Sequence, residues 1–187
     1  TETLGRYVNN SISGMAVVYS DLIYASQQGT PVKIIYTADY SGSADSLIGN
    51  YSTVKELKGK TIGIEGVNTF SHIFVLRLLE KNGLSEKDVR FSVVPHSKTL
   101  EVLKKGEIQA GHIWGQDRTD ALNSGYRIIA TANDVPGLIT DVLIINPDII
   151  KKRPDDIQRI VYSIVEARNF MDTNKTESIQ IISKTLG

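Results

Sequence analysis

Short β-branched and aliphatic runs alternate with helical patterns along almost the whole chain, and this alternation limits the folds open to it. The runs are GMAVVY (14–19), VKIIYT (32–37), TIGIE (61–65), VRFSVV (89–94), IQAGHIW (108–114), RIIAT (127–131) and VLIIN (142–146). Helical patterns occupy 21–28, 70–82, 97–105 and 119–124, and three of them close on Gly29, Gly83 and Gly106, as helix C-termini prefer. Strands alternating with helices predict an α/β fold with open, mainly parallel sheets flanked by helices. Beyond the last run, Ile157, Ile160, Val161, Ile164 and Val165 repeat at helical spacing as far as Met171. Asp155 and Asp156 follow Pro154 there and suit the positive start of a helix. A second short helical pattern runs from Ser178 to Leu186.

The strands fall into two groups, 14–37 and 61–131, separated by the Gly/Ser-rich passage DYSGSADSLIGNYSTVKELKG (39–59). SLIGN within it is itself strand-like, so the passage reads as a lobe boundary. The expected division is 1–50 as part of a first lobe, 51–140 as a second lobe, and 141–187 as a crossover strand with helices returning to the first. The chain would change lobes near Ser46–Tyr51 and again near Asp141–Asn146. A helix-like opening, TETLGRYVNN, before the first strand leaves a thin first sheet with an uncovered apolar edge. This predicts further sequence upstream, and either self-association through that edge or a disordered first lobe.

Lys+Arg and Asp+Glu number 21 each, so no net positive field gathers phosphate backbone, and nucleic acid is not an expected partner. With 41% hydrophobic and 22% charged residues the chain has an ordinary globular composition, long enough for a sizeable core. No apolar run is long enough to span a bilayer. The sequence opens on Thr with no secretion signal, which suits a processed or trimmed product. The absence of Cys excludes disulfides and thiolate metal sites.

Gly59-Lys60-Thr61 suggests a phosphate-binding loop, but Val54 stands where that loop needs its first Gly, and the strand follows the Lys instead of preceding it. The turn GVNTFSH (66–72) follows a strand and opens a helix, so its N–H groups and the helix dipole converge on one point. Asn68, Thr69 and Ser71 add donors there, and His72 stands in the first helical turn. An anionic ligand group suits this turn; so does an ordinary N-cap by Asn68 or Thr69. DYSGSAD (39–45) lies at the carboxyl end of a strand, where open α/β sheets bind ligands. It offers Asp39, Tyr40, Ser41, Ser43 and Asp45, which a solvated turn would explain equally. Trp114, the only Trp, ends another strand and is either core or a pocket wall. Asp141 either meets a ligand cation or ties down the Pro-Gly turn before the last strand. The three His are scattered without metal-ligand spacing, and His96 and His112 read as structural. No G-x-S-x-G elbow is present. Neither catalysis nor a cofactor or metal is expected.

Taken in order, GMAVVYSDLIYASQQGTPVKIIYTADYSGSADSLI, LKGKTIGIEGVNTFSHIFVLRLLEKNGLSEKDV, IQAGHIW and DVPGLITDVLIINPDIIKKRPDDIQRIV resemble consecutive blocks of type II periplasmic solute-binding proteins. The nearest branch is the nitrate/sulfonate/taurine type, which is also similar to thiamine-precursor binding and synthesis proteins. The resemblance implies two α/β lobes with a ligand in the interlobe cleft, and members carry an additional strand, helix and strand before the point where this chain starts. It implies a pocket at Asp39–Asp45, the NTFSH turn, Trp114 and Asp141, with Gly115 and Gln116 replacing a frequent acid-Pro pair. The implied role is to bind a small polar or zwitterionic organic solute for an ABC permease, in the periplasm or outside the cell, with or without a membrane anchor. Alternatives of the same fold are the sensing domain of a histidine kinase or cyclic-dinucleotide synthase, and a thiamine-pyrimidine-synthase-like enzyme, whose His- and Cys-rich chemistry this sequence lacks.

Overall fold

The computed structural model describes residues 2–27 and 29–186. The chain divides into two compact units, one comprising Thr1–Met15, Thr30–Tyr36 and Leu143–Gly187, the other Ala16–Gly29 and Thr37–Val142.

In the second unit, β3 (Ser46–Gly49), β4 (Thr61–Ile64), β5 (Arg90–Val93), β6 (Ala110–Ile113) and β7 (Arg127–Thr131) form a sheet in the order β5-β4-β6-β3-β7. β4 runs parallel to β5 and β6, whereas β3 is antiparallel to β6 and β7. The segment expected to leave for the other lobe, Ser46–Tyr51, therefore begins as an interior strand of this sheet. Every residue of β3 is buried between β6 and β7. Residues 16–29 and 37–50, expected in the first lobe, likewise belong to the second unit.

Side chains alternate across a strand, and β3 shows the result. Leu47 packs with Ile62, Ile64, Phe74, Leu78 and Leu79 in one core, while its neighbour Ile48 joins Val94, Leu103, Ile108, Ile113 and Ala121 in another. α3 (Phe70–Lys81) covers the first core, and α4 (His96–Lys104) and α5 (Gly115–Asn123) supply residues to the second. Gly49 has no room for a side chain, because a Cβ there would lie 2.5 Å from the carbonyl oxygen of Gln109. α2 (Tyr19–Gln27) belongs to the same unit and buries Leu22 and Ala25.

β1 (Gly14–Val18), β2 (Lys33–Tyr40) and β8 (Thr140–Ile145) form a three-stranded sheet in the order β1-β8-β2, and the unit boundaries fall within these strands. The first unit also holds α1 (Glu2–Val8), α6 (Pro147–Lys152), α7 (Pro154–Thr173) and α8 (Lys175–Leu186). Within it, the Tyr7 hydroxyl donates to the Pro31 carbonyl at 2.9 Å. α7 starts at Pro154 with Asp155 and Asp156 in its first turn, as the sequence predicts. Among the described residues, no helix is long and apolar enough to cross a membrane.

Candidate ligand-binding site

Because β3 and β6 run antiparallel, with Leu47 opposite His112 and Ser46 opposite Ile113, the residue before β3 comes beside the end of β6. That residue is Asp45. Its Oδ1 lies 2.9 Å from His112 Nε2, an ion-pair distance without the alignment of a full hydrogen bond. Its Oδ2 accepts from the Ser41 hydroxyl at 2.5 Å, and its N–H donates to Ser41 Oγ at 3.3 Å. Next to it, the Ser46 hydroxyl accepts from Arg118 Nε at 3.0 Å.

His112 is enclosed by aromatic rings. Phe70 meets it edge-on at 5.4 Å, Phe74 lies at 4.9 Å and Trp114 at 5.2 Å. Trp114 in turn touches Phe70 at 5.6 Å and stacks on His96 at 3.6 Å. Asp117 Oδ2 stands 3.4 Å from His96 Nδ1. Burial depresses the pKa of His112, with Asp45 opposing the change, so the imidazole is neutral near pH 7. Burial acts to raise the pKa of Asp45, but its contacts with His112 and Ser41 outweigh that, and the carboxyl ionises more readily than usual.

Further carboxyls surround this pair. Burial and the charges of Asp21 and Asp45 raise the pKa of Glu65. Burial, Asp39 and Asp45 raise that of Asp141. Burial also raises that of Asp21, partly offset by a backbone hydrogen bond from Phe70. Among the described residues, no group of three or more His, Asp or Glu is arranged to hold a metal ion.

Of the residues singled out from the sequence, Ser41, Asp45 and Trp114 come together, and Asp39 and Asp141 stand close enough to couple electrostatically. Tyr40 is largely exposed. The NTFSH turn differs from expectation. The Thr69 hydroxyl donates to Gly66 O, buried Ser71 accepts from the Glu65 N–H, and the Asn68 N–H donates to His72 Nδ1. His72 packs its ring on Phe91 at 4.6 Å, with Nε2 3.9 Å from Glu86, and does not join the group around His112. Neither Asn68 nor Thr69 caps α3 with its side chain. The Phe70 N–H donates instead to Asp21 Oδ1 at 3.1 Å, so the protein's own carboxylate occupies the anion-friendly helix start.

His112, His96, Glu65, Asp21 and Arg118 were not foreseen as site residues, while Phe70 lies within the NTFSH turn that the family resemblance places at the pocket. One signal was present for His112: it stands two residues before Trp114 at the end of a strand, and such residues point to the same side.

Among curated proteins, a binding protein of Brucella abortus (strain 2308) is 27% identical over 164 residues, covering 78% of this chain. The chain spans 47% of that relative. Among solved structures, the periplasmic aliphatic sulphonate binding protein SsuA from Escherichia coli matches all of this chain and 65% of its own, with TM-score 0.85 and 20% identity. The alkanesulfonate-binding protein SsuA from Xanthomonas axonopodis pv. citri, bound to MOPS, matches 99% of this chain and 65% of its own, with TM-score 0.83 and 19% identity. The desulfurization enzyme DSZB shares the fold at TM-score 0.69 and 11% identity, covering 89% of this chain and 65% of its own. These likenesses bear out the α/β periplasmic-binding-protein fold. A family model matches residues 3–177, and the chain belongs to that family, described as NMT1/THI5 like.

Proposed function

We propose that this chain is the solute-capturing part of an ABC-type import system, binding a small polar organic molecule beside Asp45, His112 and Trp114 and passing it to a membrane permease from the periplasmic or outer side. The observation that carries this reading is the composition of the site. A buried imidazole, an ionised carboxylate and an aromatic wall converge at the ends of β3 and β6, as ligand pockets combine apolar walls with a few placed polar groups. Family membership and the fold shared with sulfonate-binding proteins support it.

No chemical step is part of the proposal. Asp45 lies between Ser41 and His112, whereas a serine nucleophile needs the imidazole, not the carboxylate, at its hydroxyl. Self-association through the edge strand β2, much of it exposed, belongs to the same proposal and is read by light scattering over a range of concentrations.

A thermal-shift screen of the intact protein against sulfonates, amino acids, polyamines and pyrimidines tests the function. At least one class should raise the melting temperature in a concentration-dependent way. A protein that no small molecule stabilises is not a solute receptor.

A further inference from the structure

Resting on the solute-binding reading, we propose that this site selects an organic cation carrying N–H donors, its charge beside Asp45 and its carbon skeleton against Trp114 and Phe70. Asp45 couples to Glu65 and to Asp141, Glu65 to Asp21, and Asp141 to Asp39. These carboxyls repel one another in the ligand-free protein, and a positive charge among them relieves that repulsion. Of the basic groups alongside, Arg118 donates Nε–H to the neutral Ser46 hydroxyl and His96 Nδ1 faces Asp117.

His112 points the same way independently. Its side chain has no exposed surface, and neither ring nitrogen has an aligned hydrogen-bond partner. A neutral imidazole that turns Nε2–H toward the Asp45 carboxylate leaves Nδ1 as a bare acceptor. A buried acceptor without a donor is costly, and it calls for a ligand rich in N–H groups. The third observation weighs against a sulfonate at the start of α3. The positive start of α3, where a sulfonate would be drawn, already receives Asp21. An anion there would displace a carboxylate and enter a field of like charge.

Trp114 is the only tryptophan in the chain, so its emission reports on the site. Phenethylammonium and benzamidinium are titrated at neutral pH and low salt against 2-phenylethanesulfonate, benzenesulfonate and neutral 2-phenylethanol. The cations should bind at least about tenfold more tightly than the sulfonates and the alcohol. Asp45→Asn and Glu65→Gln, checked for folding by circular dichroism, should each weaken cation binding about tenfold or more. Asp120→Asn, which alters only an exposed pair with Gln116, should leave it unchanged. Preference for sulfonates or the alcohol, or cation binding that survives both site variants, overturns the charge assignment and leaves a solute-binding protein. If these probes are too small to bind, the compounds found by thermal shift are compared in the same variants. Anionic or neutral compounds as the only ligands overturn the charge assignment alone, and the absence of any ligand overturns both readings.

Discussion

Asp45 and His112 meet where β3 and β6 run antiparallel, carboxylate oxygen 2.9 Å from imidazole nitrogen, with no exposed surface left on the imidazole side chain. The arrangement couples the site to pH. Burial holds the folded-state pKa of His112 below its ordinary 6.5, so the unfolded chain takes up the proton first and stability falls as pH drops below about 6.5. Asp45, also depressed from its ordinary 3.8, loses its contribution only at lower pH. Urea titrations should therefore show stability falling between about pH 7 and pH 5. His112→Gln should reduce that slope, leaving the share from His72, whose pKa burial depresses in the same direction. An unchanged slope in the variant would separate His112 from the pH response.

The surrounding acids act with the opposite sign. Glu65 and Asp141 have folded-state pKa values raised first by burial and then by neighbouring carboxylates, so their ionisation at neutral pH opposes folding. Neutral substitution should stabilise the ligand-free protein while harming ligand capture, a common exchange at binding sites. Both groups are partly solvated, so solvent screening limits the gain to about 0.5 kcal/mol each near pH 7. Glu65→Gln and Asp141→Asn should unfold at slightly higher urea than the unaltered protein. The gain should vanish at acid pH, where the native side chains are themselves protonated. A loss of stability in both variants would mean that these carboxylates hold structure instead of repelling one another.

Asp21 caps a helix far from it in sequence. Removing its carboxylate in Asp21→Ala leaves the Phe70 N–H at the start of α3 without its partner, which should cost about 1 kcal/mol, as other N-cap losses do. The vacated helix start should then attract anions. Sodium sulfate is expected to raise the melting temperature of Asp21→Ala more than that of the unaltered protein, compared against sodium chloride at equal ionic strength. Equal responses would show that the turn has no anion affinity of its own.

What could be read in the sequence follows from range. Seven of the eight strands coincide with β-branched runs, whose pattern is local, and Gly29, Gly83 and Gly106 all adopt positive φ as helix-ending residues do. β3 reads as strand-like, but its place inside this sheet is not legible in Ser46–Gly49, only four residues between Gly- and Ser-rich stretches. Its burial comes from β6 and β7, which lie far along the chain. The same contrast holds at the site. Asp45, Ser41 and Trp114 were legible because they stand at strand ends. A lone His inside an apolar strand resembles core, and nothing local links Asp21 to a helix 49 residues later.

The interior position of β3 can be tested through Gly49. A Cβ at this residue would approach Gln109 O to 2.5 Å, Ile129 Cδ1 to 3.1 Å and Ala110 Cα to 3.3 Å. Two of these three atoms belong to backbone, so a new methyl group cannot be accommodated by turning a side chain; the strands must separate. Overpacking of this kind typically costs about 1–3 kcal/mol. Gly49→Ala should lower the urea midpoint followed by Trp114 emission, which reports on the same unit. Because β3 pairs with β6, whose end carries His112 and Trp114, the displacement should also alter the emission of the folded protein. If Gly49→Ala matches the unaltered protein in both midpoint and spectrum, then β3 is not packed between β6 and β7 as described, and the placement of Asp45 beside His112 fails with it.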